Sequence, residues 1–205
     1  TVGTPMRPAV LAAASVPFAS PEANGPLRLL VVGGSQGARV MSDVVPGAIE
    51  RLEPALWSRL VLTQQVRDED MVWVRAVYDR LKINAELAPF FGDLPARLAS
   101  SHLVVSRSGA GTVAELAAIG RPSILVPLPG AIDQDQFANA GVLSQADAAL
   151  RIPQAEFTPD RLASEISALA AEPARLAAMA TKARNVGRLD AAERLADLVM
   201  KVAGI

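Results

Sequence analysis

Four short runs of this sequence combine glycines and polar side chains in spacings that suit a phosphorylated ligand. The first, Gly33-Gly34-Ser35-Gln36-Gly37, follows an apolar run ending at Val32 and precedes a helical pattern starting near Ala38. Glycines permit positive φ and let bare backbone N–H groups approach a ligand, while a helix N-terminus favours negative charge. The run therefore reads as a phosphate cradle or, more simply, as a tight strand-to-helix turn. The second, Ser106-Arg107-Ser108-Gly109-Ala110-Gly111-Thr112, also closes a strand and opens a helix, so it supplies a second nest of N–H donors and hydroxyls. Glu115 lies one turn further on, where its carboxylate can accept both hydroxyls of a ribose or merely compensate the helix dipole.

The third run spans Pro127 to Ala140 and gathers Asp133, Gln134, Asp135 and Gln136 at the start of a helix. Gln136 and Asn139 share a face by their three-residue spacing, and side-chain amides suit sugar hydroxyls. In the fourth, Phe90-Phe91-Gly92-Asp93, Phe90 can pack on a base while Phe91 backbone groups read its edge; core packing of both rings is the alternative. Asp93 sits where an N-cap would stand. Two familiar chemistries are excluded. Gly37-Ala38-Arg39 lacks the Gly-Lys-Ser/Thr ending of a P-loop, and Thr63-Gln64-Gln65 closes the second strand where dinucleotide binding requires an acid.

These loops need a scaffold that brings them to one edge. Short apolar runs at Leu27 to Val32, Leu60 to Leu62, Leu87 to Phe90, Leu103 to Ser106, Ser123 to Val126 and Ala148 to Ile152 read as strands. Helical patterns separate them at Ala38 to Leu52, Glu69 to Leu81, Leu94 to Ser100, Gly111 to Ile119 and Asp135 to Leu143. Alternation of this kind predicts an α/β, Rossmann-like doubly wound parallel sheet whose ligand loops lie at the strand C-termini. Three extra helices should start near Pro159, Pro173 and Asp190, with Thr158 and Asp190 as N-caps. Five prolines before Leu27 predict an extended arm or linker over 1–26, with the domain over 27–189 and a C-terminal helix over 190–205.

Twenty basic residues face twenty-one acidic ones, so no overall positive field exists to gather nucleic acid. With no Cys and one His, neither a disulfide framework nor a thiolate or imidazole metal cluster can form, and no metal or cofactor is expected. His102, at the start of a strand and so opposite the ligand loops, reads as structural. The absence of Cys, of an apolar run near the roughly 20 residues that span a bilayer, and of signal-peptide regions in Thr1 to Arg7 predicts a cytoplasmic domain.

Taken together, Gly33 to Ala38, Ser106 to Leu116 and Asp133 to Ala140 resemble the MurG family of bacterial peptidoglycan glycosyltransferases, as do the arm Gly3 to Pro8 and the closing Asp190 to Arg194. That family transfers N-acetylglucosamine from UDP-N-acetylglucosamine to an undecaprenyl-diphosphate-linked muramyl-pentapeptide, lipid I, giving lipid II. The resemblance implies the C-terminal, donor-binding half of a two-domain GT-B enzyme, peripheral on the cytoplasmic face of the inner membrane. It places Ser35, Gln36 and Arg7 near the diphosphate, Phe90 and Phe91 at the uracil, Glu115 at the ribose, and Asp135 and Gln136 at the sugar. Ser108, Gly109, Ala110, Thr112 and Asn139 complete the implied site. It also implies that acceptor and catalytic base belong to an N-terminal domain without counterpart here, so no catalytic residue is expected in these 205 residues. Two positions depart from the family pattern: Thr63-Gln64-Gln65-Val66 replaces the usual His-Gln-Thr/Ser-Gly, and Asp135 stands where His or Gln is usual. A nucleotide-binding module without transferase activity, or another nucleotide-sugar enzyme such as an epimerase, is the alternative.

Overall fold

The computed structural model describes residues 2–35, 37–130 and 135–204. Six strands form one parallel sheet: β1 (Leu27–Val32), β2 (Leu60–Gln65), β3 (Ala85–Ala88), β4 (Leu103–Ser106), β5 (Ser123–Leu125) and β6 (Ala149–Arg151). Their order, β3-β2-β1-β4-β5-β6, makes the chain build outward first to one side of β1 and then to the other. The crossovers are α2 (Arg39–Glu50), α4 (Asp68–Arg80), α5 (Leu94–Ser100), α6 (Ala110–Ile119) and α7 (Asp135–Ser144), with a short α3 (Pro54–Trp57) before β2. After β6 come α8 (Pro159–Ala171), α9 (Pro173–Val186) and α10 (Ala191–Ala203).

β1 and β4 pair in the middle, Leu29 opposite Leu103, and β4 is buried along its whole length. A parallel strand covered on both faces must be apolar on both, which explains the unbroken Leu-Leu-Val-Val and Leu-Val-Val runs. Successive side chains diverge to opposite faces. Leu27, Leu29 and Val31 enter a core with Met41, Ile49 and Ile166 of α2 and α8, whereas Leu30 and Val32 enter a second core with Leu98, Leu116 and Leu143. Burial of each such side chain contributes about 1.5 to 3 kcal/mol, so both faces hold the sheet.

β2 runs through Gln65, three residues past the apolar run that marks it in the sequence. A parallel ladder requires only backbone groups, and the polar side chains find partners inside: Tyr78 Oη donates to Gln64 Oε1 at 2.5 Å. The proline-dense beginning is not extended throughout. Pro8 stands at the first position of a helix, where a missing N–H costs nothing, and α1 (Pro8–Ala14) follows. Val10, Ala13 and Ala14 are buried, and α1 packs on α5 and α6. Its end is fixed by Arg121, 1% exposed, whose guanidinium donates to Val16 O as well as to Leu98 O, Ala99 O, Ile119 O and Gly120 O. Burial, and then the charge of Arg184, lower the Arg121 pKa to about 10. Thr158 caps α8 by accepting from Arg161 N at 3.2 Å. Asp190 occupies the N-cap position of α10 without a capping bond; its carboxylate lies 3.5 Å from Arg194 instead. Among the described residues, no helix is long and apolar enough to cross a membrane.

The single histidine lies just before β4, at the edge of the sheet opposite the ligand loops, as its place in the sequence predicts. His102 Nδ1 accepts from Arg28 N at 3.1 Å, and the ring meets Phe18 edge-on. Burial, then the charges of Arg28 and Arg121, hold its pKa below the ordinary imidazole value. The folded state thus prefers the neutral ring: the stability this contributes is full above the unfolded pKa of 6.5 and is lost as pH falls through the lower folded value. Urea unfolding should therefore show a flat free energy above roughly pH 7 and a decline that sets in as the pH falls below about 6.5, before the carboxylates titrate. The decline should vanish in His102→Gln; the same slope in that variant would assign it to other groups.

Candidate functional site

At the C-terminal ends of β1 and β4 the loops enclose two adjoining hollows. One of about 230 Å³ reaches Arg7, Gln65, Phe90, Phe91 and Glu115; one of about 550 Å³ reaches Arg39, Arg107, Leu128 and Gln136. Gly34, Ser35, Gly111 and Thr112 line both, so the two are one cleft whose waist lies between the N-termini of α2 and α6. Among the described residues, neither helix has a capping side chain or an acid in its first turn. Their first-turn N–H groups have no partner within the helix, and the paired dipoles make the waist a place for an anion.

The β1–α2 loop can only be built from glycine at its tightest point. A Cβ on Gly33 would lie 2.1 Å from Ala38 N, and Gly34 has φ +95°. Gly37 N donates to Gly34 O at 3.2 Å, which closes the turn. From β2, Gln65 reaches into the same loop: its Oε1 accepts from Gly33 N at 2.9 Å, and its Nε2 donates to Gly34 O at 2.9 Å and to Pro89 O at 3.0 Å.

Arg7 explains why the ordered α1 matters. It is the N-cap residue of that helix, and its Nη2 donates to Glu115 Oε1 at 2.8 Å across the smaller hollow. Glu115 is mostly covered, with a side chain 15% exposed, whereas Arg7 is 64% exposed. On the far wall, Arg107 is buried. Its Nη1 donates to Val126 O and Pro127 O, both at 3.1 Å, and its Nη2 to Gln154 Oε1 at 2.6 Å. Burial lowers its pKa, with no acidic neighbour among the described residues offsetting the effect. Ser108 Oγ donates to Gln136 O at 2.7 Å, and Gln136 Oε1 accepts from Leu128 N at 3.1 Å. The loops after β4 and β5 and the first turn of α7 are therefore one hydrogen-bonded network.

The expected site residues separate into groups. Arg7, Ser35, Phe90, Phe91, Gly109, Thr112, Glu115 and Gln136 line the cleft. Phe90 is exposed at its rim, while the Phe91 ring is buried beneath the Arg97 guanidinium, 4.3 Å from the centroid. Ser108 is fully buried and gives its proton to Gln136 O, so it braces α7 and presents no hydroxyl to the cleft. Asn139 and Ala110 line a separate 330 Å³ hollow beside Gly3, Thr4 and Met6, so the face that Asn139 shares with Gln136 does not bring both side chains into the cleft. Asp135 is exposed and lines neither part of the cleft. Asp93 does not cap α5 because Arg97 takes its carboxylate at 2.7 Å. Gln36, Asp133 and Gln134 lie outside the described residues. Sequence reasoning missed Gln65 and Arg107; the polar end of β2 and an arginine beside two glycines were the signals available. Among the described residues, no group of three His, Cys, Asp or Glu converges as metal ligands would.

Residues 28–195 match the family described as the glycosyltransferase family 28 C-terminal domain. The chain belongs to that family. The GT28 chain is 85% identical over 205 residues to a Bradyrhizobium diazoefficiens protein named UDP-N-acetylglucosamine–N-acetylmuramyl-(pentapeptide) pyrophosphoryl-undecaprenol N-acetylglucosamine transferase, covering all of this chain and 56% of that protein. A protein of the same name from Rhodopseudomonas palustris strain BisB18 is 82% identical and 55% covered. The GT28 chain thus spans just over half the length of these curated relatives. Among solved structures, MurG of Acinetobacter baumannii superposes with a TM-score of 0.80 at 31% identity, over 90% of this chain and 55% of that one. The fold is accordingly the Rossmann-like C-terminal half of a GT-B glycosyltransferase.

The steric reading of the cradle has a direct test. Gly33→Ala forces its methyl into the backbone at Ala38 and should cost about 1 to 3 kcal/mol of unfolding free energy. Gly92→Ala, where a Cβ meets nothing within 4 Å and φ is not positive, should change stability by less than about 0.5 kcal/mol. Equal effects in denaturant unfolding would show that the β1–α2 loop is not sterically fixed.

Proposed function

We propose that the chain binds UDP-N-acetylglucosamine as the donor half of the transferase that converts lipid I to lipid II, with inversion at the anomeric carbon. The observation that carries the reading is the waist of the cleft. Two uncapped helix N-termini face one hollow, flanked by Glu115 and Arg7 on one side and by Gln136 on the other. A diphosphate at the waist would extend its nucleoside toward Phe90 and Glu115 and its sugar toward Gln136. The name carried by relatives 85% and 82% identical supports the same donor and a lipid-linked acceptor.

In this reading the donor half acts by position and electrostatics. The acceptor hydroxyl displaces UDP directly, and first-turn amides with Arg7 stabilise the charge that develops on the departing diphosphate. Glu115 would accept from both ribose hydroxyls, which must compete with Arg7 for its carboxylate. Gln136, whose Oε1 is held by Leu128 N, keeps its amide N–H groups for sugar hydroxyls. The acceptor and the base that takes its proton are assigned to the part of these relatives' length that the chain does not span. The intact enzyme would work as a peripheral protein on the cytoplasmic face of the inner membrane, where a polyprenyl-linked acceptor is reachable.

Calorimetric titration should show UDP and UDP-N-acetylglucosamine binding, and both ligands should raise the melting temperature by mass action, whereas ATP and NAD should not. A carboxylate hydrogen bond contributes about 1.5 to 3 kcal/mol, so Glu115→Ala should weaken UDP roughly ten- to a hundred-fold with little change in unfolding. Equal affinity for ATP, or an unchanged UDP dissociation constant in the variant, contradicts the assignment.

A further inference from the structure

Gln65 is 5% exposed, sits at the last position of β2, and takes part in no contact that the donor reading requires. Yet both its N–H groups and its oxygen are engaged. One oxygen lone pair takes Gly33 N–H, and Nε2 donates both to Gly34 O and to Pro89 O. The first two partners are the phosphate cradle after β1. The third immediately precedes Phe90 and Phe91 after β3. A single planar group, anchored on the strand between, therefore spans from one subsite to the other. Gly34 O also accepts from Gly37 N, a backbone bond that closes the cradle without Gln65, so the Gln65 amide adds the tie between the cradle and the loop after β3.

We infer that Gln65 is a positioning residue that fixes the separation between the base platform and the diphosphate cradle, so that the cleft favours a nucleoside diphosphate over either of its parts. The inference rests on the reading of the cleft as a uridine diphosphate site. Two subsites held at the right separation act as a linked pair, in which occupation of one presents the other at high effective concentration. Letting the separation wander forfeits that linkage while leaving each subsite intact. The chemistry of the position is narrow. Glutamate would turn an acceptor toward two carbonyls, asparagine is one methylene too short to reach both loops, and methionine keeps the volume without the bonds.

The test titrates the wild-type chain and Gln65→Met with UDP, uridine and inorganic pyrophosphate, followed by amide chemical shifts so that weak ligands remain measurable. The UDP dissociation constant of the variant should rise at least roughly ten-fold, while those for uridine and pyrophosphate change by less than about three-fold. Loss of all three ligands in the same proportion would make Gln65 a purely structural residue, and unchanged UDP affinity would remove it from the site; either overturns the inference. Should Gln65→Met not fold, Gln65→Asn carries the same expectation with polarity retained. A wild-type chain that fails to bind UDP at all would overturn the donor reading and this inference together; UDP binding retained with no selective loss would overturn this inference alone.

Discussion

Backbone N–H groups at the start of a helix cannot find carbonyls within it, and a buried or half-buried helix start must offer them to something else. In this fold the constraint is concentrated. The strand order reverses at β1 and β4, so the crossovers α2 and α6 leave for opposite faces of the sheet and open a crevice between their first turns. Among the described residues, both turns lack a capping side chain and an acid. The glycines at 33, 34 and 37 let the chain turn closely enough to leave these donors open, and an anionic ligand is the partner they suit.

Everything around the crevice serves to hold it still or to set its charge. Arg121 and Arg184 grip the carbonyls at the end of α1, α1 places Arg7, and Arg7 reaches Glu115. Arg107 ties β5 and the turn before α8 together while its own charge stays beside the cleft. A chain with net charge −1 thus surrounds one crevice with Arg7, Arg39 and Arg107. The positive field is local, which suits a diphosphate and gives a long polyanion nothing to follow.

The sequence made the sheet legible because parallel strands buried on both faces must be continuous apolar runs, and the loops legible because glycine before a helix has few other uses. Local pattern was a poorer guide where the decisive partner is distant. Proline density suggested an extended beginning, but Pro8 opens a helix whose burial depends on α5 and α6 nearly a hundred residues away. Gln65 looked like a lost acid of another fold; its role arises from Gly33, Gly34 and Pro89, which only the folded sheet brings to it. Ser108 and Asn139 carried the right chemistry for sugar hydroxyls, yet one is buried against the Gln136 carbonyl and the other turns toward Gly3 and Met6. Spacing places a side chain on a helix face and cannot say what that face meets.

The most direct examination of the central claim is an amide chemical-shift map of the 15N-labelled chain as UDP is added. Binding at the paired helix starts predicts the largest shifts at the N–H groups of Gly34, Ser35, Gly111 and Thr112, with a second group at Phe91. Shifts centred instead on the basic hollow of Arg151, Arg175 and Lys182 beyond β6, or no localised shifts at saturating UDP, would contradict the account.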